Sequence, residues 1–80
     1  MEPKIITYLR EIPIGTHGYI VGYDQVFGGY RGKLSSIGLI PGTEFILIRH
    51  GSIIVPLIIE VKGNLLRLSK PEADALCIEI

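Results

Sequence analysis

Three side chains in this 80-residue chain could bind a soft metal ion: His17, His50 and Cys77. They stand far apart in the sequence, and none belongs to a C-x-x-C or H-x-x-x-H pair. A shared site therefore requires the fold to bring three distant positions together, with help from a carboxylate such as Asp24. We retain the three residues as weak candidates for binding Fe²⁺ or Zn²⁺ and expect no required cofactor.

Nothing in the chain indicates a catalytic centre. The sequence shows no pairing typical of a Ser-His-Asp or Cys-His site. The glycines at Gly28-Gly29 and at Gly51 lie outside the G-x-x-x-x-G-K-[ST] frame of a phosphate-binding loop. A short chain that is 48% hydrophobic also leaves little volume for a catalytic cavity. We therefore expect an interaction module rather than an enzyme.

The charges argue against two classes of partner. Eight basic and eight acidic residues are scattered singly and give a net charge of zero, whereas nucleic-acid binding proteins usually carry a basic excess. The longest apolar run, Ile53 to Ile59, contains Pro56 and is far shorter than the ~20 residues that cross a bilayer. We expect no nucleic-acid partner and no direct membrane insertion. The single cysteine cannot form an intramolecular disulfide, which fits a cytoplasmic protein.

The composition favours strands over helices. Isoleucine and valine are abundant, alanine is rare, and ten glycines and five prolines supply many turns. We predict a single all-β domain over residues 1–80, with short helices and a core at about 7–80. Gly22 predicts a bend or bulge in the first strand. Five short strands would close into a small barrel, at residues 18–23, 44–50, 53–62, a segment through Leu66 and Leu68, and 77–80.

The stretch from Tyr30 to Gly42 connects a helix to a strand. Leu34 and Ile37 are three residues apart, so a helix places them on one apolar face. Gly38 stands where a glycine in the left-handed conformation ends a helix, and Pro41-Gly42 supplies a second turn.

Turn chemistry predicts the other connections. Thr7 is the expected N-cap of a helical turn, and residues 24–29 are expected to form a loop. Gly51-Ser52 is interpreted as a two-residue hairpin link, and Gly63-Asn64 as a type II′ turn with glycine first. Residues 71–76 are predicted to form a helical turn, with Ser69 near its cap and Glu72 at its positive end.

The motifs along the chain occur in a recognisable order. They are Leu9-x-x-Ile12-Pro13-x-Gly15, then Arg31-x-x-Leu34-x-x-x-Gly38-Leu39-x-Pro41-Gly42, then Pro56-x-x-Ile59-x-Val61-x-Gly63, then Leu66-x-Leu68 and Glu72-Ala73. This set, from about Leu9 to Ile80, resembles ferrous-iron transport protein A, FeoA. The central motif carries most of the weight. One departure is the segment 49–56, which lacks the glycine-aspartate that usually precedes the proline.

The resemblance implies an SH3-like barrel and a small cytoplasmic accessory of ferrous-iron uptake. Its implied partner is the membrane transporter FeoB, contacted at the cytosolic region that bears the GTPase. The expected contact residues surround the junction between the 24–29 loop and the following helix: Val26, Phe27, Tyr30, Arg31 and Lys33.

Three alternatives remain open at this point. The chain could be a metal-binding sensor or carrier, related to the C-terminal domain of iron-dependent repressors that resemble the diphtheria toxin repressor. It could instead bind proline-rich peptides through Tyr19, Tyr23 and Tyr30, although the acidic loop and tryptophan expected of such a module are missing. The apolar strand from Ile53 to Ile59 could also form an exposed edge and pair with a second copy.

Overall fold

The computed structural model describes residues 6–80, without the side chains of Ile6 and of residues 26–28. Six antiparallel strands form one sheet in the order β1-β6-β2-β3-β4-β5. The strands are β1 (Ile6–Thr7), β2 (His17–Tyr23), β3 (Glu44–Arg49), β4 (Leu57–Val61), β5 (Asn64–Leu68) and β6 (Leu76–Glu79). The helices are α1 (Arg31–Ser36) and α2 (Lys70–Asp74), with 3-10 turns at Leu9–Glu11 and Gln25–Tyr30. No helix among these residues is long and apolar enough to span a membrane.

The predicted all-β class with short helices is confirmed, and β2 to β6 correspond to the five predicted strands. The two-residue β1 was not predicted, because a strand this short carries no alternation to read. The 24–29 segment, predicted as a loop, instead belongs largely to a 3-10 turn. Thr7 is not a helix cap: Tyr8 occupies that position, and the Thr7 hydroxyl donates to Glu11 Oε2 at 2.8 Å.

The core is a single aliphatic cluster around Phe45. Strand β4 shows the expected alternation, with Leu57, Ile59 and Val61 buried between less buried neighbours. The remaining buried apolar residues come from both helices, the longer strands, the first 3-10 turn and the connections: Leu9, Ile12, Ile20, Leu34, Leu39, Phe45, Leu47, Leu68, Ala73, Ala75, Leu76 and Ile78.

The end of α1 agrees with the predicted glycine cap, but Ile37 is not buried. Leu34 is buried as expected, and Gly38 has the left-handed φ of 94° that closes the helix. Ile37 is the C-cap residue, and its amide still donates to the Lys33 carbonyl at 3.2 Å. Its side chain is nevertheless 41% exposed, so the prediction that it shares an apolar face with Leu34 is wrong. Leu39 is buried instead, with its amide donating to the Leu34 carbonyl at 2.9 Å.

The turn between β4 and β5 differs from the predicted type. Lys62 and Gly63 are its central residues, and both have positive φ, at 52° and 82°. Two positive φ values are the pattern of a type I′ turn, not of the predicted type II′ turn at Gly63-Asn64. Lys62 adopts the left-handed region because this turn matches the twist of the paired strands.

The connection between β3 and β4 is a folded loop of residues 50–56, hereafter the 50–56 loop, and not the predicted two-residue link. The Ser52 hydroxyl accepts hydrogen bonds from the Ile54 and Val55 amides, at 3.2 and 3.1 Å. The prediction that this strand begins at residue 53 is wrong, because β4 begins at Leu57. The Ser52 hydroxyl binds local amides that would otherwise pair with a neighbouring strand. Pro56 also has no amide hydrogen to donate to a sheet. Strand β4 pairs with both β3 and β5, so the predicted exposed edge is not there; β5 ends the sheet order.

Two glycines of β2 have opposite surroundings. A Cβ atom on Gly18 would lie 2.6 Å from the Glu79 carbonyl oxygen and 2.9 Å from the Phe45 ring. A Cβ on Gly22 would meet nothing within 4 Å. The register with β6 shifts between Ile20 and Gly22, which confirms the predicted irregularity there.

Gly18→Ala is expected to lower the free energy of unfolding by about 1–3 kcal/mol. The new methyl group would collide with the backbone carbonyl of Glu79, which cannot move aside as a flexible side chain can. Gly22→Ala is the matched control in the same strand, and should change stability by less than ~1 kcal/mol. Urea unfolding monitored by circular dichroism measures both. Equal losses in the two variants would contradict the close packing at Gly18.

Candidate functional site

The three candidate metal ligands are held at separate places. His17 is exposed at the start of β2, whereas Cys77 pairs with Gly22 near the other end of that strand. Gly22 is five residue steps along the strand from His17, or roughly 16 Å at ~3.3 Å per residue. His50 is half-buried, and its Nε2 lies 2.7 Å from the Ile12 carbonyl oxygen. Among residues 6–80, no three histidine, cysteine or carboxylate side chains form a group that could hold a metal.

The Cys77 thiol is not activated. Burial raises its pKa, and the Asp24 carboxylate raises it further, so the thiol remains protonated at neutral pH. The Asp24 carboxylate accepts a hydrogen bond from the Tyr8 hydroxyl at 2.7 Å, and this bond raises the pKa of Tyr8. The Tyr8–Asp24 hydrogen bond therefore joins the segment before the first 3-10 turn to the end of β2.

The predicted contact segment mixes packed and exposed residues. Tyr30 packs against the core, whereas Arg31 is exposed with its guanidinium carbon 5.6 Å from the centre of the Tyr23 ring. The Tyr23 hydroxyl donates to the Leu39 carbonyl at 2.7 Å, which fixes the ring under the guanidinium. The side chains of Val26 and Phe27 lie outside the described structure. The prediction that this segment contacts a partner stays a prediction.

Lys33 has a structural partner that the sequence did not reveal. Its ammonium forms an ion pair with Oε2 of Glu72, so α1 is joined to α2. The other oxygen of Glu72 accepts from the Ser69 amide at 2.7 Å, and Ser69 Oγ accepts from the Glu72 amide at 3.4 Å. This reciprocal pair is the capping box that begins α2.

Glu72 is a charged residue with only 5% of its surface exposed. Burial pushes the pKa of its carboxyl upward, but hydrogen bonds from Lys33 and from Ser69 outweigh that effect and leave the pKa lowered. The carboxylate is therefore ionised at neutral pH. The spacing Ser69-x-x-Glu72 predicted the cap, but no local pattern indicates the pairing with Lys33 across 39 residues of chain.

The three tyrosines of the peptide-binding alternative do not form one open groove. Tyr19 is 47% exposed on β2, while Tyr23 and Tyr30 pack against the core. Stacked proline recognition needs adjacent exposed aromatic rings, and this arrangement does not provide them.

Among the side chains that the structure describes, the large apolar ones with the greatest exposure lie on the 50–56 loop. Ile53 is 90% exposed and Ile54 is 91% exposed. They border a cavity of about 450 Å³, whose other walls are Arg10, His50, Gly51, Ser52, Leu57, Lys70, Ala73 and Asp74. This surface is not predicted from the sequence, because the apolar composition of residues 53–59 is typical of a strand.

Comparison with known proteins identifies the family. A sequence profile of the FeoA domain matches residues 7–80, nearly the whole chain. The chain belongs to the FeoA family. The FeoA resemblance drawn from the motifs is therefore confirmed, and with it the SH3-like barrel and a role in ferrous-iron uptake. No curated protein sequence matches the chain.

Solved FeoA structures share this fold. The crystal structure of an iron uptake regulatory protein (FeoA) has 27% sequence identity and a TM-score of 0.75, with 94% of this chain and 96% of that chain covered. The solution structure of the FeoA protein from Chlorobium tepidum has 22% identity and a TM-score of 0.71, with 92% and 70% covered.

The crystal structure of another protein, IdeR, shares the fold as well. IdeR of T. acidophilum has 16% identity and a TM-score of 0.73. All of this chain aligns, but it spans only 36% of the IdeR chain. At this identity the likeness shows the fold alone.

Lys33→Met is expected to lower the free energy of unfolding at neutral pH by about 1–2 kcal/mol. The substitution leaves the buried Glu72 carboxylate without its cation, although solvent screens the pair because the Lys33 side chain is 64% exposed. Since the folded-state pKa of Glu72 is lowered, its contribution is present above the ordinary glutamate pKa of ~4.3 and is lost as the pH falls below it.

Urea unfolding at neutral and acidic pH should therefore show the two proteins converging as the pH drops. Lys70→Met is the control, because Asp74 keeps a second cation, Arg10 at 3.1 Å, when Lys70 is removed, and the loss should be less than ~0.5 kcal/mol. Equal stability of wild type and Lys33→Met at neutral pH would rule out a structural role for this ion pair.

Proposed function

We propose that this FeoA-family protein is a non-enzymatic, cytoplasmic accessory of ferrous-iron uptake that binds the cytosolic region of the transporter FeoB. The observation that carries the proposal is the FeoA domain match over residues 7–80. The described residues add no competing chemistry: Cys77 is not activated, and the histidines stand apart. An adaptor role needs only a stable scaffold with an exposed contact surface.

The proposed contact with FeoB is the segment predicted from the sequence, Val26, Phe27, Tyr30, Arg31 and Lys33. Arg31 is the member whose position suits a contact best, because it is exposed while its guanidinium rests over the Tyr23 ring. A cation held in this way loses less freedom on binding than a free side chain does. Lys33 would contribute mainly by holding α1 on α2 through Glu72.

Arg31→Glu is expected to weaken binding to the cytosolic region of FeoB roughly tenfold or more, because charge reversal replaces an attraction with a repulsion. The measurement is an amide NMR titration of the labelled chain with that region. Wild type should give saturable shifts centred on residues 26–33.

Arg67→Glu is the matched control, since Arg67 is an exposed cation on β5. It should bind as wild type does. Absence of binding by wild type would contradict the proposed function. Binding by wild type and by Arg31→Glu with equal affinity would leave the function standing and remove this contact site.

A further inference from the structure

Two neighbouring isoleucines stand almost free of the rest of the protein. Ile53 and Ile54 are each at least 90% exposed, and Val55 beside them is 43% exposed. Other apolar side chains at the surface of the described structure reach 61% at most. A pair this exposed forms a protruding apolar tip, and a surface of this kind marks an interaction site or an aggregation hazard.

The tip is held in place by its own loop. The Ser52 amide donates to the Val55 carbonyl at 2.7 Å, and Ser52 Oγ accepts from the Ile54 and Val55 amides. Gly51 lies so close to the returning chain that a Cβ would be 2.5 Å from the Leu57 amide nitrogen. The isoleucines are thus presented by a compact turn that is closed by its own hydrogen bonds.

Cations surround the base of this tip. Arg49 ends β3, and its guanidinium donates to the Pro56 carbonyl at 3.2 Å. Arg10 and Lys70 border the cavity beside the isoleucines, and both contact the carboxylate of Asp74, at 3.1 and 3.0 Å. That carboxylate is only 13% exposed, whereas the side chains of Arg10 and Lys70 are 47% and 57% exposed.

The exposed charge at the tip is therefore mainly positive. Glu11 is the other nearby carboxylate: it lies 4.0 Å from Arg10, at the edge of ion-pair distance, and accepts from Thr7. Three cations against these two anions leave an excess of one positive charge beside the apolar tip.

From this arrangement we infer that the 50–56 loop is a membrane-contact site, at which Ile53 and Ile54 enter the headgroup region of a bilayer rich in acidic lipid. Arg10, Arg49 and Lys70 would meet the lipid phosphates, since cations near such a surface are attracted to its negative potential. The inference concerns lipid and does not depend on binding to FeoB. It differs from the sequence-based expectation of no membrane insertion, which considered only segments long enough to cross.

A lipid surface fits better than a protein partner for a geometric reason. Stable protein interfaces bury about 800 Å² on each side, with their central residues enclosed by well-packed neighbours. Here the apolar residues project beyond their neighbours and the polar groups lie at the base. In a bilayer, the apolar acyl chains lie beneath the charged headgroups, so a projecting apolar tip can insert without a complementary pocket.

The test is co-sedimentation of the full chain with vesicles of phosphatidylcholine, with and without phosphatidylglycerol, at millimolar lipid. Wild type should bind the vesicles that contain phosphatidylglycerol, and added salt should weaken the binding. Ile54→Ser should reduce the partition coefficient roughly tenfold, and Ile53→Ser/Ile54→Ser roughly a hundredfold, since each isoleucine removed deletes one buried apolar side chain.

Leu65→Ser is the matched control, because Leu65 is 61% exposed and lies on β5 near the turn at the far end of the β4–β5 hairpin. It should sediment as wild type does, and amide NMR of each variant would verify its fold. The inference would be overturned if wild type did not bind acidic vesicles, or if Ile54→Ser and Leu65→Ser lowered the partition coefficient equally. The exposed isoleucines would then be better explained by contact with a protein partner.

Discussion

The carboxylate of Glu72 is bound from two directions, and the arrangement of both helices depends on it. One oxygen accepts from the Ser69 amide and begins α2, while the other pairs with the Lys33 ammonium and holds α1. Helices of five and six residues are too short to be stable alone, so tertiary contacts must hold them in place. Burial of Glu72 makes the pairing obligatory, because an unpaired buried charge is costly. The proposed FeoB contact at Arg31 lies on the helix positioned in this way.

Local sequence rules predicted most of the fold because its strands and turns obey them. Alternation placed Ile59 and Val61 inward, and Gly38 ended α1 through its left-handed φ. The same rules failed at the 50–56 loop, where a run of apolar residues has strand composition but Ser52 binds the local amides instead. Its exposed isoleucines therefore could not be predicted. The pairing of Lys33 with Glu72 was equally hidden, because it joins residues that only the tertiary fold brings together.

The segment at the start of α1 and the 50–56 loop are surfaces of different character. The segment at the start of α1 combines a cation over an aromatic ring with residues that pack on the core, and suits a structured protein partner. The 50–56 loop exposes consecutive isoleucines with three cations near its base and suits a lipid surface. An accessory of a membrane transporter can use both, because contact with the bilayer raises its local concentration near a membrane-embedded partner.

The most direct test of the central claim is uptake of radiolabelled ferrous iron by cells that lack this protein and retain FeoB at a verified, unchanged level. Uptake should fall in these cells, and supplying the wild-type chain should restore it. Uptake at the wild-type rate in cells without the protein would contradict the proposed role as an accessory of FeoB.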